Sequence, residues 1–196
     1  MFTGIIEATG KIMDAVISGQ IRTFWISSPI SRDLRPDQSV AHDGVCLTIE
    51  EVREGMHRVS AIEETLKKTN ISSWGKGREV NLERSVVMNG RIEGHLIQGH
   101  VDAMALCLER QAEGGTWEFR FEIPKKFSHL VIEKGSVALN GISLTSFDVR
   151  KKTFRVAIIP YTVAHTNIYS LQAGDSVNIE FDLIGKYFAR FRELAR

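Results

Sequence analysis

Two cysteines, almost no net charge and no long apolar run exclude several classes of protein before any motif is read. Cys46 and Cys107 are the only cysteines of the 196-residue chain, and its formal net charge is +1. The two thiols are far apart and form no Cys-x-x-Cys pair, so a reduced, cytoplasmic chain is the simplest expectation. The charge balance lacks the basic stripe of a nucleic-acid footprint. No apolar run approaches the roughly eighteen residues that a membrane-spanning helix needs. Met1-Phe2-Thr3-Gly4-Ile5-Ile6-Glu7 enters patterned sequence directly, without a basic-then-apolar leader. Neither a membrane nor a nucleic acid is therefore expected as a partner. There is no G-x-S-x-G elbow and no P-loop, and Gly75-Lys76-Gly77 lacks the third glycine of a dinucleotide motif. His95 and His100 stand five apart with no cysteine or carboxylate at a ligand spacing, so no metal site is expected.

What the chain does contain is a duplication. Ser39-Val40-Ala41-His42-Asp43-Gly44-Val45-Cys46-Leu47-Thr48 returns as Ser136-Val137-Ala138-Leu139-Asn140-Gly141-Ile142-Ser143-Leu144-Thr145. Across 39–52 and 57–83, displaced by 97, 19 of 41 positions are identical. Unrelated segments would match at about one position in twenty, so the chain is a tandem repeat. The openings of the units align at a displacement of 95, which pairs Gly4 with Gly99 and Ile5 with His100. The expected division is a first domain over 1–95, a second over 96–182 and a C-terminal oligomerisation helix over 183–196. Each repeat is long enough to bury a core of its own.

The spacing predicts strands over 4–15, 21–27, 45–52, 58–62 and 78–83, with the series repeated over 116–123, 142–149, 153–159 and 175–181. These runs are short, rich in β-branched and aromatic residues, and separated by Gly, Asp or Ser turns. About six strands per unit suit a small closed antiparallel barrel, because closure removes exposed edges. The expected fold is all-β, two homologous six-stranded Greek-key barrels, with a two-sheet sandwich as the alternative. Residues 63–68 and 161–165 read as short helices. In the tail Leu183, Ile184, Tyr187, Phe188, Phe191 and Leu194 recur at helical spacing behind Asp182, a suitable N-cap. That helix either packs on its own barrel or joins chains.

The differences between the copies point to chemistry. Cys46 in one unit is Ser143 in the other, and each is followed two residues later by a threonine, Thr48 or Thr145. Spacing of two sets both side chains on one strand face; facing inward, each pair would line a pocket. The alternative is that small polar residues merely cap turns. His100 belongs to one copy only and is suited to proton transfer near neutral pH, although a hydrogen-bonded histidine without chemistry is the commoner case. The segments 60–65 and 157–162 leave a strand and enter a turn in both copies, where backbone groups can read the edge of a flat heterocycle.

These residues resemble the alpha-chain riboflavin synthase family. The resemblance rests on the segment 1–7, on Ser39 to Thr48, on Gly94-His95-Leu96-Ile97-Gln98-Gly99-His100-Val101-Asp102, on Asn140 to Thr145, and on Ile184-Gly185-Lys186-Tyr187. It spans essentially the whole chain. It implies two lumazine-binding barrels, a homotrimer, and a dismutation of two 6,7-dimethyl-8-ribityllumazine molecules into riboflavin and 5-amino-6-ribitylaminouracil without a cofactor. Lumazine synthase stands as a candidate partner. The working site would pair the first barrel of one subunit with the second barrel of its neighbour. By the same resemblance Cys46, His100, Ser143 and Thr145 lie nearest the chemistry, with Phe2 and Thr3 closing over the ring. His100 with Thr145 would take the methyl proton, and Cys46 and Ser143 would position the adduct. Substrate contacts carry over to Gly4, Ile5 and Ile6, to Cys46, Leu47 and Thr48, and to Ser60, Ala61, Ile62, Glu63, Glu64 and Thr65. On the other unit they carry over to Gly99, His100 and Val101, to Lys134, to Ser143, Leu144 and Thr145, and to Ala157, Ile158, Ile159, Pro160, Tyr161 and Thr162. Glu63-Glu64 departs from the family's usual Lys-Glu pair. Three rivals remain: a non-catalytic lumazine or flavin carrier of the same fold, a flavin-binding reductase module, and a purely structural trimer.

Overall fold

Alternating apolar residues closed by tight turns form antiparallel strands here because every second side chain finds a shared interior. The computed structural model describes residues 1–195. The first unit contributes β1 (Ala8–Ser18), β2 (Ile21–Ser27), β3 (Ser39–His42), β4 (Val45–Thr48), β5 (Glu51–Arg53), β6 (Met56–Ala61) and β7 (Glu79–Arg84), in the order β4-β3-β7-β1-β2-β6-β5. The two end strands, β4 and β5, are parted only by Ile49 and Glu50, so the sheet closes through its own chain into a six-membered ring. Ile49 N–H bonds to the Gln38 carbonyl at 2.8 Å and Glu50 N–H to the Arg58 carbonyl at 2.9 Å, which keeps both sides paired across the break.

The second unit contributes β8 (Ala103–Glu113), β9 (Thr116–Glu122), β10 (Ser136–Leu139), β11 (Ile142–Phe147), β12 (Thr153–Ile158) and β13 (Ser176–Phe181), a closed barrel with the same connectivity. The uninterrupted β11 stands where the first unit has β4 and β5. Closed rings rule out the sandwich. Each barrel has its own core: Phe24 meets Trp74 edge-on in the first, and Phe121 stacks on Phe154 in the second. Short helices α1 (Glu63–Lys68) and α2 (Pro160–His165) follow β6 and β12. The tail is α3 (Leu183–Leu194), and Asp182 caps it by accepting from the Ile184 N–H at 2.9 Å. No described helix is long and apolar enough to cross a membrane.

The barrels meet along a pseudo-twofold axis built from paired turns. Asp43-Gly44 lies against Asn140-Gly141 so closely that a Cβ on Gly44 would stand 2.7 Å from the Gly141 nitrogen. Around these turns the Asn81 side chain donates to the Asn140 carbonyl at 3.0 Å, and the Asn178 side chain to the Asp43 carbonyl at 2.9 Å. Asn70 N–H bonds to Asn178 Oδ1 and Asn167 N–H to Asn81 Oδ1, both at 2.7 Å. Asn70, the asparagine of the Asn70-Ile71-Ser72 sequon, is therefore buried and committed to this interface.

One member of this network breaks the symmetry. Asp43 Oδ1 accepts from Asn81 N–H and Asn167 Nδ2, each at 2.8 Å, but the buried Oδ2 has no partner and Arg78 stays 3.9 Å away. Burial pushes the carboxyl from 3.8 to about 7, against the Asn81 bond and the Arg78 charge. A carboxyl raised in the folded state costs stability as pH climbs from its unfolded value through its folded one. Asn140 shows that an amide suits the same role, since its Oδ1 accepts from Asn178 N–H at 2.9 Å and from Asn70 Nδ2 at 3.4 Å. Asp43→Asn is expected to raise stability by roughly 1–3 kcal/mol at about pH 8, with the gain shrinking towards pH 4.5. Melting curves at the two pH values check this; an equal gain at both would exclude the buried charge as the cause.

Candidate active site

The predicted first strand does not begin at Gly4. β1 starts at Ala8, because the residues before it cross to the other barrel. Phe2 and Ile97 exchange two backbone hydrogen bonds, at 2.7 and 3.0 Å, so the opening segments of the two units run antiparallel between the barrels. Beyond that bridge the Gly4 carbonyl accepts the N–H of Ser143, and the Gly99 carbonyl accepts the N–H of Cys46, each at 2.9 Å. Both contacts require glycine. Gly4 and Gly99 have φ of +81° and +80°, and a Cβ on either would stand 2.6 Å from the Cβ of Ser143 or Cys46.

Two buried carboxylates fasten these straps. Glu83 accepts from Thr3 N–H at 2.6 Å, Thr3 Oγ1 at 2.8 Å and Gly4 N–H at 2.9 Å. Glu180 accepts from the N–H groups of Gln98, Gly99 and His100 at 2.8, 2.9 and 3.0 Å. Burial raises both carboxyls above the ordinary glutamate value, while the bonds they accept pull the other way. Each barrel thus fastens the opening segment of its own unit and hands that segment's glycine carbonyl to the opposite barrel.

The polar pairs lie outside the barrels, which corrects the inward placement. On β4 the apolar Val45 and Leu47 take the interior, leaving Cys46 half-buried and Thr48 exposed on the outer wall. On β11, Ile142 is buried in the core, while Ser143 is half-buried and Thr145 exposed. The interiors are filled by aromatic and branched side chains, so the pockets are grooves on the outer walls. The first, of about 220 Å³, is lined by Val45 and Cys46, by Glu64, Thr65, Lys68 and Thr69 on or beside α1, and by Gly99, His100 and Val101 of the other unit. At the equivalent place on the second barrel Ser143 lies against Gly4, which Ile5 and Ile6 follow in the chain.

His100 therefore joins Cys46, and no described contact brings it to Thr145 of the same chain. Phe2 is fully buried between the barrels with Ala41, Ile97 and Ala138. Thr3 is tied to Glu83. Ser60 bonds Thr23 at 2.8 Å, and Ala61 and Ile158 are buried. Ile62 and Ile159 are both 58% exposed. Glu63 and Glu64 pair with Lys67 and Lys68 along α1, and Tyr161 stacks on His165 across α2. Lys134 lies 5.5 Å from the Phe147 ring, two residues along β11 from Thr145. Sequence reasoning missed His95, whose Nδ1 lies 2.7 Å from Ser143 Oγ. Burial lowers its pKa, against the pull of Asp182. The described residues hold no group of three or more His, Cys, Asp or Glu placed to bind a metal. A larger cavity of about 750 Å³ between the barrels, beside Asn70, Arg78 and Tyr169, contains neither Cys46 nor Ser143.

Two barrels of one plan, each with an outer wall met by the opening segment of the other unit, define a tandem-barrel protein. The lumazine binding domain model matches residues 3–85 and again 98–182. Riboflavin synthase of Actinobacillus pleuropneumoniae is 38% identical over 193 residues, covering 97% of this chain and 89% of that protein. Riboflavin synthase of Bacillus subtilis is 35% identical over 192 residues, with the same coverage of each. The chain belongs to the riboflavin synthase family. Its fold also matches LumP complexed with riboflavin, with a TM-score of 0.86 at 20% identity, over 92% of this chain and 99% of that one.

Proposed function

We propose that this chain is a transferase that dismutates two molecules of 6,7-dimethyl-8-ribityllumazine. Four carbons pass from one to the other, giving riboflavin and 5-amino-6-ribitylaminouracil. The observation that carries this reading is the pair of outer-wall strands, each met by the other unit's opening segment, alike in plan and unlike in polar groups. A reaction between two copies of one molecule needs two similar sites with different chemistry. Cys46, Thr48 and His100 serve one lumazine; Ser143 and Thr145 serve the other. The 7-methyl protons are acidic because the carbanion delocalises into the ring, so positioned donors and acceptors suffice and no cofactor is needed. Holding the two rings face to face contributes about 7–11 kcal/mol through orientation alone.

The grooves of one chain lie on the walls of different barrels, with the Phe2–Ile97 bridge between them. A first-barrel groove of one chain facing a second-barrel groove of its neighbour brings two rings together. Ile184, Tyr187, Phe188, Phe191 and Leu194 on α3 are 61–72% exposed, which supports self-association through the tail into a homotrimer. The setting we propose is the cytoplasm, in keeping with two free thiols.

Pure lumazine mixed with the protein alone is expected to yield riboflavin absorbance and an equal amount of the diaminouracil. The same preparation should sediment at the mass of three chains. Lumazine binding with no riboflavin formed would make the protein a carrier, and an active single chain would remove the inter-subunit site.

A further inference from the structure

Cys46 and Ser143 are repeat equivalents with the same backbone contact to a strap glycine, but their side chains are treated differently. Cys46 has no side-chain hydrogen-bond partner among the described residues. Ser143 Oγ lies 2.7 Å from Nδ1 of His95. The approach of that imidazole is set by the backbone. His95 N–H donates to the Thr3 carbonyl at 3.1 Å. Its neighbour Gly94 is packed so tightly that a Cβ would stand 2.0 Å from the Thr3 oxygen and 2.9 Å from Ser143 Oγ. Residues 94 and 95 are thus pressed onto Ser143, and no other side chain comes between the ring and the hydroxyl. Burial lowers the pKa of the ring, which favours the neutral imidazole, and in the tautomer protonated at Nε2 its Nδ1 accepts from the Ser143 hydroxyl.

We propose that His95 is a positioning residue of the second groove, which acts through Ser143 to carry the methyl proton away from the lumazine bound there. The inference rests on the lumazine reading above. As the 7-methyl C–H bond breaks, its electron pair enters the ring and Ser143 Oγ takes the proton. The original Ser143 hydroxyl proton passes to His95 Nδ1, leaving an imidazolium. No oxidant or co-reactant is consumed. The two grooves then differ in kind: the serine groove generates the carbanion, and the cysteine groove holds the lumazine it attacks.

Exchange of the 7-methyl protons with D2O, followed by proton NMR at saturating lumazine, reads this step apart from riboflavin formation. His95→Gln keeps a hydrogen-bonding side chain but cannot take the proton. It is expected to slow exchange at least tenfold while the lumazine Kd from fluorescence titration changes less than threefold. In a Ser143→Ala chain, adding His95→Gln should slow exchange no further. Unchanged exchange in His95→Gln, or a full extra loss in the double variant, would overturn the relay. Should His95→Gln fail to fold, Ser143→Ala, which leaves the His95 backbone anchor in place, is read alone; wild-type exchange there overturns the proposal. If the wild-type protein forms no riboflavin, the lumazine reading itself fails, an outcome distinct from either of these.

Discussion

A Gly44→Ala chain is expected to lose on the order of 4 kcal/mol of stability, from one methyl group at the buried meeting point of the barrels. Gly44 has φ of +77°, where an L side chain costs about 1–2 kcal/mol by itself. The added Cβ would also meet the Gly141 nitrogen at 2.7 Å and its Cα at 3.0 Å. Both are backbone atoms of the opposite barrel, so no rotamer change relieves the contact. The turns must separate, and separation stretches the Asn81 bond to the Asn140 carbonyl and the Asn178 bond to the Asp43 carbonyl. Buried polar groups left unpaired cost about 1–3 kcal/mol each. Gly19→Ala is the control: its φ is +60°, but a Cβ there meets nothing within 4 Å, so only the backbone strain remains. Urea denaturation of the two variants separates the terms. If Gly44→Ala falls within about 1 kcal/mol of Gly19→Ala, the back-to-back turns do not hold the barrels together.

Much of this architecture is legible in the residues because the repeat prints it twice. A constant displacement pairs Cys46 with Ser143 and Asp43-Gly44 with Asn140-Gly141, and the alternation of β-branched residues announces the barrels. Asp182 and the aromatic spacing behind it announce α3. What period-two alternation does not announce is the side. Cys46 and Thr48 share a face whether that face looks in or out, and the deciding residues are their neighbours Val45 and Leu47, which are apolar and claim the interior. The crossing of the straps is hidden for a different reason. Gly4 and Gly99 are equivalents, so exchanging the barrels they serve leaves every local pattern unchanged. Only the chain path shows that His100 serves the Cys46 groove. His95 is hidden because as a metal ligand it fails on spacing and nothing local links it to Ser143. Its relation to Ser143 spans 48 residues and exists only in three dimensions.

The crossing has a consequence that can be measured: removing Glu180, a residue of the second barrel, is expected to empty the groove of the first. Its carboxylate is the shared acceptor for Gln98, Gly99 and His100, whose amides have no other acceptor in the strap. Glu180→Ala leaves those three N–H groups unpaired, the one on Gly99 in a buried setting, where an unmet donor costs about 1–3 kcal/mol. The cheaper response is for the strap to lift. Gly99 then leaves Cys46, and His100 leaves the groove it lines. Fluorescence titration with lumazine should find two sites per chain in the wild type and one in Glu180→Ala, and riboflavin formation should fall at least a hundredfold. The reciprocal change, Glu83→Ala, frees Thr3 and Gly4 and should abolish the Ser143 site while sparing the Cys46 site. Adding Ser143→Ala to each variant tells which site survives: the residual site of Glu180→Ala should weaken, and that of Glu83→Ala should not. If each carboxylate instead controls the groove of its own barrel, the straps serve the barrels from which they come, and the composite sites do not exist.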